Sequence, residues 1–116
     1  MLVALHPLST ALAIRKSTEA LQYFDKILAI NPKNVTALTN KGIALNYLGN
    51  HTGAILYYDK ALAIDPKNVR ALNDKGIALN YLRNYTQAIQ SFDKALAIDP
   101  NNIFALTNNN IRIVNL

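Results

Sequence analysis

Apolar residues recur at helical spacing along most of the chain, in segments that are separated by polar turns. One such segment follows Asn68 and carries Val69, Leu72, Ile77, Leu79 and Leu82. Apolar positions three or four residues apart share one face of a helix, and a preceding Asn can accept from the free backbone amides of the first turn. The pattern predicts helices that begin after Asn34, Asn68 and Asn102, each of which we call a helix A.

A second helix, helix B, is predicted after a short turn. Gly49 and Asn50 at that turn tolerate the left-handed conformation that closes a helix. Arg83 replaces the glycine in the next copy, and we expect Asn84 to take the left-handed conformation there. Helix B then spans roughly 52–64 and 86–98 and stops at an Asp-Pro pair, because the residue before a proline is pushed out of the helical region. Such short turns predict that neighbouring helices run antiparallel.

The two helices form a unit that repeats with a period of 34 residues. Val35–Asn68 aligns with Val69–Asn102 without a gap, ten positions differ, and 24 of the 34 are identical. A fixed period of this length is typical of stacked helical units, none of which can bury its apolar face alone. The pattern predicts an all-α protein with a single domain over residues 1–116, which contains two full repeats at 35–68 and 69–102.

Small residues, an aromatic residue and a proline stand at fixed places in both copies: Gly42, Ala54, Tyr58, Ala61 and Pro66, then Gly76, Ala88, Phe92, Ala95 and Pro100. With the 34-residue period, these positions resemble the tetratricopeptide repeat. The resemblance implies a right-handed superhelical solenoid of antiparallel helix pairs, in which the small residues allow close approach and the aromatic ring fills the gap between helices. It also implies a module that binds a partner protein, as an extended peptide or a helix, against the A helices on the concave face.

The ends of the array match the repeat less well. Residues 1–34 are expected to be a degenerate first repeat, because Thr18–Asn34 repeats helix B but Met1–Ser17 carries Pro7 and lacks the helix A glycine. Residues 103–116 are expected to form a terminal lone helix A. Its last six residues are largely apolar, and they predict a homo-oligomer that associates through Ile111, Ile113, Val114 and Leu116. The alternative is that this end folds back on the last helix pair or frays.

The resemblance places the partner-binding residues by position on the A helices. They are Asn40, Ile43, Asn46, Tyr47, Arg70, Asn73, Asp74, Ile77, Asn80, Tyr81 and Asn108. An Asn side chain both donates and accepts, so it suits a peptide backbone, and a tyrosine adds apolar contact with a polar tip. The alternative is that Asn simply tolerates exposed helix positions in an Asn-rich chain.

One known type of ligand can be compared directly with these positions. Tetratricopeptide domains that bind the acidic C-terminal tails of heat-shock chaperones use a clamp of Lys, Asn and Arg. The matching positions here hold Leu5, Ser9, Asn40, Arg70 and Asp74. Two of the five are compatible with such a clamp, and Asp74 would repel a carboxylate. We therefore do not expect that ligand.

Composition adds several expected absences. The net charge of +5 comes from Lys and Arg residues that are dispersed rather than clustered, which argues against nucleic acid as a partner. No run of apolar residues is long enough for a membrane span, and residues 1–16 do not fit a signal peptide. The chain has no Cys, and the position of His51 holds Tyr85 in the next repeat, so we expect neither metal, cofactor nor catalytic site. A cytoplasmic location is the default expectation.

Overall fold

The computed structural model describes the backbone of residues 2–102 and 105–107, and the side chains of these ranges from residue 9 onward. Five helices follow one another: α1 Leu2–Ile30, α2 Val35–Tyr47, α3 His51–Ile64, α4 Val69–Tyr81 and α5 Tyr85–Ile98. Each helix packs against the next one in the chain, and α2 also contacts α4. The predicted all-α stack of helix pairs is confirmed, with α2 and α4 as A helices and α3 and α5 as B helices.

Asparagine caps start the A helices as the sequence predicts. The side-chain oxygens of Asn34, Asn68 and Asn102 each accept a hydrogen bond from the backbone N–H three residues later, at 2.9 to 3.0 Å. Asn50 caps α3 in the same way at 2.8 Å, whereas Asn84 at the start of α5 makes no side-chain cap bond. Both B helices begin one residue earlier than predicted, at His51 and Tyr85.

The turn from helix A to helix B corrects one expectation. Gly49 takes the left-handed conformation with a φ of 84°, and Arg83 itself, rather than Asn84, takes it with a φ of 61°. The backbone bonds explain why, because Asn50 and Asn84 donate to the carbonyls of Leu45 and Leu79 at 2.9 Å. These bonds close a helix only when the residue before the Asn is left-handed. Position in the motif therefore outweighs the preference of Asn for this conformation.

The core lies between the helix pairs and is built from the repeat positions. Tyr58 and Phe92 are fully buried against Gly42 and Gly76. A Cβ at Gly76 would lie 2.6 Å from two ring carbons of Phe92, so the glycine is required by close approach. Small and large residues thus interlock as the sequence predicts, and the same contact occurs once in each full repeat.

Successive repeats are joined by an ion pair at a fixed position. Lys41 on α2 reaches back to Asp25 on α1 at 2.5 Å, and Lys75 on α4 reaches back to Asp59 on α3 at 2.7 Å. The aspartates therefore pair with a lysine of the following helix A, not with the lysine next to them in sequence. Lys41 also donates to the hydroxyl of Tyr57 at 2.9 Å.

The N-terminal segment forms one helix where each full repeat has two. Residues 2–30 form one continuous helix of 29 residues, with no turn where the first helix A would have ended. The segment lacks a Gly-Asn pair like Gly49 and Asn50, which follow α2 in the 35–68 repeat. Residues 9–16 are exposed, and half-buried positions begin only at Ser17. The C-terminal half of α1 therefore packs on α2, while the exposed turns extend beyond it.

Candidate functional site

The two A helices form a shared face because α2 and α4 have the same sequence register and lie side by side. Their C-terminal halves and the turn after α2 enclose a hollow of about 540 Å³. It is lined by Ile43, Asn46, Tyr47, Gly49, His51, Tyr58, Asp74, Ile77 and Tyr81. Most of the lining area is apolar, with polar groups at intervals, which is typical of sites that bind part of another molecule.

A second hollow of about 590 Å³ adjoins the first along the N-terminal half of α4. Its lining residues are Ile43, Val69, Arg70, Asn73, Asp74 and Asn102. Ile43 and Asp74 line both hollows, so the two are adjacent along α2 and α4. We call the residues that line these two hollows the A-face groove.

One end of the groove is aromatic. Tyr47 and Tyr81 occupy equivalent positions at the ends of α2 and α4 and are 75% and 64% exposed. The ring of His51 stacks on Tyr81, with centroids 4.5 Å apart and planes within 3° of parallel. A ring nitrogen of His51 also makes a short hydrogen bond with the side-chain oxygen of Asn46. These contacts hold one tyrosine in place and leave the face of the other open.

The middle of the groove contains two oxygen atoms that accept no hydrogen bond from the part of the chain that the structure describes. They are Oδ1 of Asn73 and Oδ2 of Asp74, and both atoms are buried. The Nε of Arg70 lies 3.8 Å from Oδ2 of Asp74, which is close enough for charge attraction but too long for a hydrogen bond. Burial raises the pKa of the Asp74 carboxyl to about 6, and the positive charge of Arg70 opposes this shift. A carboxylate here is therefore strained electrostatically.

The charge of Asp74 also affects a buried tyrosine at the floor of the groove, Tyr58. Tyr58 is 1% exposed and lines the same hollow as Asp74. Burial, and then the negative charge of Asp74, raises the pKa of the Tyr58 hydroxyl. The phenol therefore stays neutral and can act as a donor at the edge of the hollow.

The structure brings together most of the residues that the sequence assigned to partner binding. Eight of them line the groove: Ile43, Asn46, Tyr47, Arg70, Asn73, Asp74, Ile77 and Tyr81. Asn40 and Asn80 line neither hollow. Asn108 and the self-association residues Ile111, Ile113, Val114 and Leu116 lie outside the described residues.

Sequence reasoning missed five lining residues, namely Gly49, His51, Tyr58, Val69 and Asn102. His51 was interpreted as a packing or surface residue, and it is both, because it packs on Tyr81 at the groove edge. A signal was available, since the equivalent position holds another ring, Tyr85. Alternating rings directly after the turn indicate a position that faces the next A helix.

The described residues contain no candidate metal site and no candidate membrane-spanning helix. Among the described residues, no three His, Asp or Glu side chains gather closely enough to hold a metal ion. Over the same part of the chain, no helix combines the length and apolar character needed to cross a bilayer.

Solved structures of similar fold are numerous. The TPR domain of OM64 from Arabidopsis superposes with a TM-score of 0.84 at 26% identity, over 88% of this chain and 84% of that one. The first TPR of Spaghetti (RPAP3), bound to the HSP90 peptide SRMEEVD, gives 0.80 at 24% identity, over 98% and 89%. The second TPR domain of human RPAP3, in complex with the HSP70 peptide SGPTIEEVD, gives 0.76 at 21%, over 87% and 92%. The latter two identities support the fold alone.

A comparison with curated protein sequences gives no match. The sequence profile described as the tetratricopeptide repeat matches residues 35–68 and 69–102, which are the two units found from the internal period. Repeats of this kind are generally non-catalytic modules for protein interaction. The profile covers more than half of the chain, and its two matches coincide with the α2–α3 and α4–α5 pairs. The chain therefore belongs to the tetratricopeptide repeat family.

Proposed function

We propose that the A-face groove binds a segment of a partner protein, as an extended peptide or a single helix. The observation that carries this proposal is the pair of adjacent hollows between α2 and α4, which share Ile43 and Asp74 in their lining. A partner segment lying across both hollows would contact two repeats at once. The function follows from stacking, because neither repeat alone supplies both walls.

The chemistry of the groove suits a peptide. Ile43 and Ile77 form an apolar floor, and the amides of Asn46 and Asn73 can bond with a peptide backbone. Tyr47 leaves three quarters of its surface to water, so a partner side chain packed there would bury a large aromatic area. Aromatic residues in such positions contribute strongly to protein interfaces.

The peptide complexes among the similar structures support a groove of this kind, although their ligands are properties of those proteins. The acidic chaperone tail remains a poor match for this chain. Arg70 is the one Lys or Arg among the described residues that line the groove, and Asp74 lies 3.8 Å from it. A terminal carboxylate would therefore meet repulsion from Asp74 as well as attraction from Arg70.

A peptide library tests the proposal directly. Dodecapeptides displayed on phage are selected on the purified chain, and the selected peptides are synthesised and titrated by fluorescence anisotropy. Tyr47→Ala should weaken binding at least about tenfold, since a buried aromatic contact is lost. Tyr23→Ala is the matched control, because Tyr23 is 62% exposed on α1 and does not line the groove. Equal loss in both variants, or selection of no peptide, would contradict the proposal.

Self-association is a second candidate, and the exposure of α1 favours it. Leu12 and Ile14 are each 50% exposed on the N-terminal half of α1. Association through this arm or through Ile111, Ile113, Val114 and Leu116 would cover apolar surface. Light scattering over a tenfold concentration range distinguishes a monomer of 12.8 kDa from a larger assembly. A constant monomer mass would exclude this role. The cytoplasmic location is a separate prediction, which this experiment does not address.

A further inference from the structure

Two acceptor atoms in the A-face groove have no hydrogen-bond donor among the described residues and are therefore available to a donor from a partner. Asn73 is only 6% exposed, and its Oδ1 has no hydrogen-bond partner among the described residues. Oδ2 of the neighbouring Asp74 is also buried without one. Both residues line the hollow of about 590 Å³. Leaving a buried acceptor unpaired is costly, so each oxygen favours any ligand that brings a donor.

Nearby cations of the chain are not placed to satisfy these atoms. Arg70 is 67% exposed, and its Nε stays 3.8 Å from Oδ2 of Asp74. The lysines at equivalent positions of the two A helices, Lys41 and Lys75, reach back to aspartates on the preceding helix instead. Asp74 is also the one carboxylate among the residues that line the two hollows. The groove therefore places one carboxylate beside one exposed guanidinium, within a chain of net charge +5.

Repeat packing does not require this pair. The preceding repeat has Thr39 and Asn40 at the positions of Asn73 and Asp74. Thr39 is buried, and its hydroxyl bonds with the carbonyl of Val35 at 2.9 Å, so no acceptor is left open there. The second full repeat thus holds a buried amide and a carboxylate where the first forms the same fold without them. A strained group that the fold can do without is a candidate for binding.

We propose that the groove takes a partner segment that places a lysine or arginine side chain against Asn73 and Asp74. This inference rests on the proposed function, and it names the chemistry of the partner. An ammonium or guanidinium group brings several N–H donors and a charge opposite to Asp74. Ile43 and Val69 line the same hollow and can pack the methylene stem of such a side chain.

Three defined peptide pools test this preference. Each pool contains acetylated and amidated heptapeptides with a fixed centre of lysine, norleucine or glutamate, and with Ala, Leu, Asn and Tyr mixed at the other positions. Norleucine keeps the stem of lysine without its charge. Binding to the ¹⁵N-labelled chain at pH 7 is followed by amide shifts in α2 and α4. We expect the lysine pool to bind about tenfold more tightly than the norleucine pool, and the glutamate pool to bind most weakly.

Two variants assign the preference to the groove. Asp74→Asn should abolish the advantage of lysine over norleucine, and this variant keeps the residue type that Asn40 shows to be compatible with the fold. Asp59→Asn is the matched control, because Asp59 pairs with Lys75 outside the groove. Asp59→Asn should leave the advantage of lysine over norleucine intact. If the advantage came from general charge attraction, the loss of any one carboxylate would reduce it, including that of Asp59.

The failures are distinguishable. Equal shifts from all three pools in α2 and α4 would overturn the lysine preference and leave peptide binding standing. A lysine advantage that survives Asp74→Asn, or tightest binding by the glutamate pool, would overturn the preference as well. Absence of shifts from any pool would overturn both the preference and the proposed function.

Discussion

Replacement of Gly76 by alanine should destabilise the fold, although alanine is the better helix former. The new Cβ would lie 2.6 Å from Cε1 and Cζ of Phe92, about 1 Å inside normal carbon contact. Phe92 is 0% exposed, so its ring cannot move into solvent. Overpacking of this kind costs about 1–3 kcal/mol, and the gain from helix propensity returns about 0.5–1 kcal/mol. We therefore expect a net loss of about 0.5–2 kcal/mol.

Urea unfolding followed by far-ultraviolet circular dichroism measures this loss. A double-mutant cycle with Phe92→Leu tests its cause, because a smaller side chain should leave room for the new methyl group. Gly76→Ala should then cost less in the Phe92→Leu background than in the original chain, with a coupling energy above about 0.5 kcal/mol. An increase in stability on Gly76→Ala alone, or additive single effects, would refute the argument from close approach.

Five other substitutions have expected outcomes in the same assay. The raised pKa of Asp74 means that the folded state keeps a proton between about pH 4 and 6 that the unfolded state has lost, so this group lowers stability as the pH rises through that window. Asp74→Asn should therefore stabilise the fold by about 1–3 kcal/mol at pH 7 and by much less at pH 4. The neighbouring ionisable side chains, Arg70, His51 and Tyr58, are the same in both proteins. An equal effect at both pH values would contradict this reasoning. Arg83→Gly should stabilise by about 1 kcal/mol, because Arg83 has a φ of 61°, and Gly49→Arg should do the reverse. Asn68→Ala should cost about 1 kcal/mol through loss of its cap bond, whereas Asn84→Ala, where that bond is missing, should cost little; equal costs would refute the capping account.

The sequence predicted the repeat because one period controls several independent features. The caps at Asn34, Asn68 and Asn102, the Asp-Pro stops and the Gly–aromatic contacts all recur every 34 residues, so each supports the others. The left-handed residue of the 69–102 repeat was predicted wrongly, as Asn84 instead of Arg83. The prediction used the conformational preference of Asn, whereas the hydrogen bonds that close the helix determine which residue is left-handed. In the N-terminal segment, where the match to the repeat is poor, the chain lacks the turn residues and forms one continuous helix.

The groove was less predictable, because a helical position does not reveal how deeply a side chain is buried. The resemblance placed Asn73 and Asp74 on helix A, where they line a hollow, but position does not predict that their oxygens lack a partner among the described residues or that Arg70 stays 3.8 Å away. His51 was missed because its ring joins the groove only through stacking on a tyrosine 30 residues later. Contacts between repeats cannot be derived from the pattern within one repeat.

The ion pairs between repeats make the array directional and extendable. Each full repeat offers a lysine to the unit before it and an aspartate on its own helix B, and both pairs observed here, Lys41 with Asp25 and Lys75 with Asp59, obey this polarity. Every full repeat therefore has a lysine that can pair with the unit before it and an aspartate that can pair with a unit after it. Duplication of residues 69–102 at the gene level would supply a new copy with both halves in register, so the design can lengthen by whole units without inventing a new joint.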